Sequence, residues 1–254
     1  ESNDYLFGRG IMDMKIGLAL HLQLLEKATV EKWPINILLV TVPDEEVNSA
    51  GMRAVIPTIA MLQEHHELDI ELFLNGEPSF SQYPGDENYY LYTGSIGKIM
   101  PSALFYGQET HAGEPLSGMT GQFIASFLTR KMEWNDVFSE EVLQERTPLP
   151  VTLSQIDLKE QYSTQTVSRT AALYNVFMME QNAEDVMKKY RKIADEAAAE
   201  CNETYERIIQ REQAVSIGKV RVIDFAELLT YANDSLGSEK VDQLIESVLK
   251  QSDY

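Results

Sequence analysis

The chain has 254 residues, 44% of them apolar, which is enough for one large domain or two modest ones with a packed core. Its 21 Lys and Arg against 40 Asp and Glu leave a net charge of -19, so nucleic acid and anionic membranes are not expected partners. The single cysteine, Cys201, excludes an internal disulfide framework. Since no signal peptide or membrane span is evident either, we expect a cytoplasmic protein.

The first part of the chain alternates helical and strand patterns. Apolar residues at helical spacing predict a helix over 14–28, after a Gly-Arg-Gly turn, and a second helix over 49–64 that is kinked at Pro57. The continuous apolar runs 35–42 and 70–75 predict strands buried in a parallel sheet. This order is typical of an α/β domain, in which reactive residues collect at the carboxyl ends of the strands.

The pattern changes near Gly94, where a second domain is predicted to begin. Its predicted elements, after a strand over 89–94, are strand 97–107, helix 118–133, strands 151–158 and 169–179, helix 183–211 and strand 219–223. This is the βαββαβ order of a ferredoxin-like α+β domain. Two further helices are predicted over 224–233 and 238–250. We therefore divide the chain into an incomplete α/β domain (1–94), a ferredoxin-like domain (95–223) and a helical segment (224–254) that leads back to the first domain.

Acidic residues follow strands or turns at three places in the first part: Asp13, the adjacent pair Glu45 and Glu46, and Glu77. Carboxylates at the mouth of a sheet repel one another unless a cation lies between them. Zinc and harder divalent ions accept such oxygens, so a metal site is the simplest explanation. The adjacent pair can divide the chemistry, because one side chain can bind metal while the other takes a proton from metal-bound water.

Each candidate also has a structural interpretation. Asp-Glu-Glu before a helix commonly caps it, Asp13 can cap the helix that follows, and Glu77 can be a turn residue before proline. His111 can likewise be a turn histidine. The order of the motifs along the chain favours the functional interpretation. The other histidines, His21, His65 and His66, are interpreted as structural, because none has the spacing of helical metal ligands.

Four segments carry a family resemblance. GRGIMDMKIG, DEEVNSAG, NGEP and GQETHAGEPLSG resemble, in this order, the signature of the M20 metallopeptidases and their deacylase relatives. The spellings GRGIMDMK, GQETHAGEP and RTAALYNVFMM are most similar to an arginine-utilisation branch of that family. The resemblance implies a zinc-peptidase-type α/β catalytic domain with an inserted ferredoxin-like lid and dimerisation domain. It also implies hydrolysis of C–N amide bonds in small acylated amino acids or short peptides, in amino-acid utilisation.

The resemblance also implies residue roles. Asp13 would bridge two zinc ions, with cobalt or manganese as alternatives. Glu45 would be the general base and acid, while Glu46 would bind one zinc and Glu77 the other. His111 would hydrogen-bond the substrate or the developing oxyanion, which can stabilise a transition state by several kcal/mol.

Two further lid residues, Arg169 and Asn175, are predicted to contact the substrate. In dimeric members of the family the lid histidine reaches the partner subunit's active site. We therefore expect a homodimer formed through residues 95–223, with a small amide or peptide as the other partner.

The chain departs from the family pattern in its histidines. The family has a metal-binding histidine in a His-x-Asp motif before the Gly-Arg-Gly loop and another after the lid, and neither is found here. We therefore expect this chain alone to bind zinc poorly and to hydrolyse nothing, with further chain before residue 1, after residue 254, or both. Two alternatives stay open: a deacylase of acetylornithine or succinyl-diaminopimelate type, and a non-catalytic binding or dimerisation fragment with a vestigial acidic cluster.

Overall fold

The computed structural model describes residues 7–46, 49–79 and 85–251. The chain divides into two compact units, Glu1–Thr93 and Gly94–Tyr254. The predicted helical segment over 224–254 therefore belongs to the second unit, and its return to the first domain stays a prediction. Among the helices in these ranges, none combines the length and the apolar character that a membrane span needs.

Two helices organise the first unit. A π-helical turn over Ile11–Lys15 leads into α1 (Ile16–Glu31), and α2 spans Ala50–His66. Both helices end at a residue in the left-handed conformation, Lys32 with φ 55° and Glu67 with φ 51°. The N–H of each cap residue donates to a carbonyl of the last turn, which completes the helix end. The two predicted helices are thus confirmed with shifted ends.

The predicted strands of the first unit are wrong. Residues 35–42, 70–75 and 89–94 belong to no strand, although the chain is described over all of them. Apolar side chains of the last two segments are mostly exposed, as Leu72 at 72% and Phe73 at 77% illustrate, while those of 35–42 are exposed or half-buried. An apolar run forms a strand only when a second segment supplies the ladder of backbone hydrogen bonds, and no described segment of this unit does so.

The second unit is built on an antiparallel sheet. Its strands are β1 (Gly97–Ile99), β2 (Ser102–Tyr106), β3 (Glu141–Val142), β4 (Glu145–Arg146), β5 (Val151–Asp157) and β6 (Arg169–Met178). β6 pairs with β1, β2 and β5, while β3 and β4 form a separate ribbon. The predicted strand 97–107 is split in two at Pro101, which has no N–H to donate. Its carbonyl still accepts the N–H of Tyr174 at 2.9 Å.

Helices cover one side of this sheet. These are α3 (Gly121–Met132) and α4 (Ala183–Glu212). They are followed by α5 (Phe225–Leu236) and α6 (Ser238–Gln251), which pack against each other. α4 begins with a capping box between Asn182 and Asp185. Its apolar residues recur at helical spacing and pack with α3 and β6 into one core, which includes Leu128, Tyr174, Val186, Ile193, Cys201 and Ile209. The predictions of α3, α5, α6 and especially α4 are confirmed.

The last predicted strand, 219–223, is wrong. The side-chain amide of Asn202 on α4 accepts the N–H of Val220 at 2.8 Å and donates to its carbonyl at 2.8 Å. The backbone N–H and carbonyl of this segment therefore bond to a side chain on a helix instead of to a neighbouring strand. The predicted ferredoxin-like order is confirmed for its first five elements, which are a strand, a helix, two strands and a helix. It is wrong for the sixth element, the closing strand.

Glu140 joins the β3 segment to the turn between β6 and α4. The backbone N–H groups of residues 179, 180 and 181 donate to its carboxylate at 2.7, 3.0 and 2.7 Å. Burial by itself raises the pKa of this carboxyl, but the three backbone donors outweigh burial and the net pKa is lowered. The ionised carboxylate is thus the form that holds the turn.

We expect Glu140→Gln to lower the free energy of unfolding of the second unit by about 1.5–3 kcal/mol, because a neutral amide replaces a charged acceptor. Since the folded-state pKa is lowered, the stabilisation is complete above the ordinary glutamate pKa of about 4.3 and is lost as the pH falls through the lower folded value. Urea unfolding at neutral pH and at pH values below about 4 measures both effects. Glu141→Gln, at the exposed neighbouring position, is the matched control and should change neither.

Candidate active site

Asp13 lies in the turn that precedes α1. Gly10 enters this turn with φ 71°, a left-handed conformation that glycine adopts without strain, and its carbonyl accepts the N–H of Lys15 at 2.9 Å. Asp13 itself is not helical, with φ -111° and ψ 98°. α1 is preceded by Lys15 and has no side-chain cap, so the interpretation of Asp13 as a helix cap is wrong.

Glu45 and Glu46 lie in the turn before α2. Asp44 precedes them with φ 66°, and the Ser49 hydroxyl donates to the carbonyl of Glu45 at 3.0 Å. Ser49 occupies the cap position of α2, and no side chain caps the helix there. The interpretation of the Asp-Glu-Glu sequence as a cap is therefore also wrong, and both carboxylates are exposed.

Glu77 brings the three acidic segments of the first unit into one electrostatic group. Its backbone N–H donates to the Asn75 side chain at 3.3 Å, and its carboxyl shares a side-chain hydrogen bond with Asp13. Glu77 is exposed, but partial loss of its hydration raises the pKa of its carboxyl, and this hydrogen bond raises it further. The negative charges of Asp13, Glu45 and Glu46 act in the same direction. The structure thus places Asp13 and Glu77 in contact, while Glu45 and Glu46 act on Glu77 only through their charges.

Close backbone contacts that the sequence analysis missed hold these segments. A Cβ atom on Gly76 would lie 2.8 Å from the Cα of Gly17, and a Cβ on Gly17 would lie 2.9 Å from the Cα of Gly76, so α1 crosses the 70–77 segment at two glycines. A Cβ on Gly51 would lie 2.5 Å from the carbonyl oxygen of Pro43. The sequence feature that could have indicated these close backbone contacts is a glycine near each acidic residue.

His111 belongs to the second unit and lies on an exposed loop. The loop is anchored to the segment before β6, since Ala112 donates to the Thr164 carbonyl at 2.9 Å and His111 pairs with Gln165 in an isolated bridge. The imidazole Nδ1 accepts the backbone N–H of Gly113 at 3.0 Å. Its predicted role is not tested by these contacts and stays a prediction.

Arg169 and Asn175 lie in different environments on β6. Arg169 is exposed at the start of the strand and lines an open pocket of about 400 Å³, together with Glu109, Lys159 and Tyr162. Asn175 is only 6% exposed and pairs with Val151 in the sheet. Arg169 thus lies in an open pocket and Asn175 within the sheet, and the predicted substrate contacts of both stay predictions.

All four acidic residues lie within the region that a known protein-family model matches. The model of peptidase family M20/M25/M40 matches residues 1–228, and the chain belongs to this family. Two curated relatives from Bacillus subtilis (strain 168) match as well. The uncharacterized protein YqjN is 40% identical over 250 residues, covering 96% of this chain and 46% of YqjN. Protein RocB is 34% identical over 210 residues, covering 82% of this chain and 37% of RocB.

These matches confirm the predicted family and, within it, the similarity to RocB indicated by the GRGIMDMK, GQETHAGEP and RTAALYNVFMM spellings. The chain spans less than half the length of either curated relative.

The acidic group fits a divalent cation by its chemistry, since it consists of carboxylate oxygens whose mutual repulsion a cation would relieve. The carboxylates of this group are not spaced as they would be in a formed metal site. Across residues 7–46, 49–79 and 85–251, no three or more His, Cys, Asp and Glu side chains come close enough to hold a metal ion.

Proposed function

We propose that this chain provides the acidic half of the active site of a metal-dependent hydrolase, which cleaves C–N amide bonds in small acylated amino acids or short peptides. The observation that carries the proposal is the contact between Asp13 and Glu77 with the charges of Glu45 and Glu46 beside it. Membership of a peptidase family whose members are typically metal-dependent supports it. The resemblance of the GRGIMDMK, GQETHAGEP and RTAALYNVFMM spellings to an arginine-utilisation branch extends the proposal to amino-acid utilisation.

In this proposal Asp13, Glu46 and Glu77 hold two zinc ions, with cobalt or manganese as alternatives. When bound, the ions would supply the Lewis acidity that makes water a nucleophile near neutral pH. Glu45 takes the proton of the attacking water on a carboxylate oxygen. It then gives that proton to the nitrogen of the leaving amine, so that one side chain serves as base and then as acid.

The second unit would bind the substrate. His111 donates a hydrogen bond to the substrate carbonyl oxygen, which gains negative charge in the transition state. Arg169 offers a guanidinium to an anionic group of the substrate from the open pocket, since no partner for its side chain is found in the described part of the chain. We further propose that two copies associate through residues 95–223, so that His111 reaches the partner's active site.

The test is hydrolysis by the product of the longest reading frame that encodes this chain. The purified protein, loaded with zinc, cobalt or manganese, is assayed on N-acetyl and N-succinyl amino acids and on dipeptides. We expect turnover of at least one class, loss of turnover with a chelator and recovery when metal is restored. A preference for acetylornithine or succinyl-diaminopimelate would identify the deacylase alternative.

A metal-loaded protein that binds these compounds without turning over any of them would overturn the proposal. That result would support the non-catalytic alternative. Calorimetric titration of the 254-residue chain alone with zinc tests the separate expectation that this chain binds zinc weakly.

A further inference from the structure

The His111 ring makes one hydrogen bond within the described residues, from the backbone N–H of Gly113 to Nδ1 at 3.0 Å. A backbone amide can only donate, so Nδ1 must present its lone pair. In a neutral imidazole the ring proton then resides on Nε2. Because the ring is exposed, this Nε2–H is available as a hydrogen-bond donor.

Glycine is what allows this contact. A Cβ on Gly113 would lie 3.1 Å from Nδ1 and 3.5 Å from Cε1 of His111, so any side chain would press against the ring. The backbone of His111 is held independently, since its carbonyl accepts the N–H of Glu114 at 2.8 Å and its neighbour Ala112 donates to Thr164 at 2.9 Å. The loop therefore positions the residue, and the N–H of Gly113 supplies the one hydrogen bond that the ring makes within the described residues.

We propose that Gly113 is a positioning residue that fixes His111 in the tautomer protonated on Nε2 and so makes it a hydrogen-bond donor to a carbonyl oxygen. The proposal rests on the proposed hydrolase function for its purpose. The other tautomer would direct a lone pair at the carbonyl oxygen and repel it. Selection of the tautomer before substrate arrives means that no proton has to move within the ring when the oxyanion forms.

The test is nuclear magnetic resonance of the imidazole nitrogens in the full 254-residue chain at about pH 8, above the ordinary histidine pKa of about 6.5. Two-bond proton–nitrogen correlations distinguish the tautomers. The other three histidines, His21, His65 and His66, are internal references in the same spectrum. We expect His111 to show a protonated Nε2 and an unprotonated, hydrogen-bonded Nδ1.

Two variants separate the backbone donor from the space beside it. Gly113→Pro removes the N–H, and Gly113→Ala keeps it but adds the crowding Cβ. With Gly113→Pro, the two nitrogen signals of His111 should shift toward the average of the tautomers while the reference signals stay in place. With Gly113→Ala, which keeps the donor, they should shift in the same direction but less. Gly94→Ala, where nothing lies within 4 Å of the added Cβ, should leave all four histidines unchanged.

A protonated Nδ1 in the unaltered chain would overturn the inference, as would an unchanged His111 pattern in a folded Gly113→Pro chain. Should the proline variant unfold, Gly113→Ala decides the outcome by the same criterion. The spectra need neither metal nor substrate. Failure of the hydrolysis assay and failure of this inference are therefore distinguishable.

Discussion

Replacing Glu45 with glutamine is expected to lower kcat/KM of the metal-loaded, full-length hydrolase by about 10²–10⁴-fold, the usual contribution of a positioned general base. Glutamine has nearly the same shape but cannot take a proton from water. The charge that surrounds Glu77 would fall by one, while Asp13, Glu46 and Glu77 keep their carboxylates. The measurements are steady-state kinetics on the preferred substrate and calorimetric titration with zinc.

The expected pattern is loss of turnover with retained metal binding. Glu64→Gln, which makes the same chemical change at an exposed position in the last turn of α2, is the matched control and should retain full activity. Glu46→Gln should differ from Glu45→Gln by weakening zinc binding itself. Normal turnover in Glu45→Gln would mean that Glu45 is not the proton shuttle.

The helices could be predicted because their information is local. α4 has a capping box at Asn182 and apolar residues at helical spacing through Ile209, and its predicted bounds differ from the observed ones by a single residue at the C-terminal end. A strand depends instead on a partner elsewhere in the chain. The run over 35–42 has the composition of a buried strand, yet no described segment of its unit pairs with it.

The closing strand of the second unit shows the same dependence in another form. Residues 219–223 have a strand pattern, but Asn202 bonds both backbone groups of Val220 from the side of α4. One amide side chain on a helix thus keeps residues 219–223 from pairing as a strand. The pattern of apolar residues along the chain does not indicate such a side-chain contact.

The acidic group was predictable in part. Each carboxylate lies in a recognisable motif, and the order of these motifs along the chain singled out all four as candidates. What the sequence does not reveal is how far apart they lie, because that depends on backbone contacts between distant residues. Nothing in the sequence indicates that Gly17 and Gly76 are in backbone contact, as the structure shows.

That contact supports the second prediction with a large expected effect. Gly17→Ala would place a methyl group against the backbone of Gly76, 2.9 Å from its Cα and closer still to its carbonyl. Rigid main chain lies on both sides, so α1 and the 70–77 segment must separate. We expect a loss of about 1–3 kcal/mol in the free energy of unfolding of the first unit, the usual cost of overpacking, and a wider separation of Asp13 and Glu77.

Engineered cysteines measure that separation directly. With Asp13→Cys and Glu77→Cys in the full chain, the two thiols should form a disulfide under mild oxidation, identified by mass spectrometry. Cys201 should not compete, because it is fully buried and burial raises its pKa to about 11. Adding Gly17→Ala should lower the yield of the disulfide, whereas Gly94→Ala, with open space around the new Cβ, should not. Equal yields in the two backgrounds would show that the glycine contact does not determine how closely Asp13 approaches Glu77.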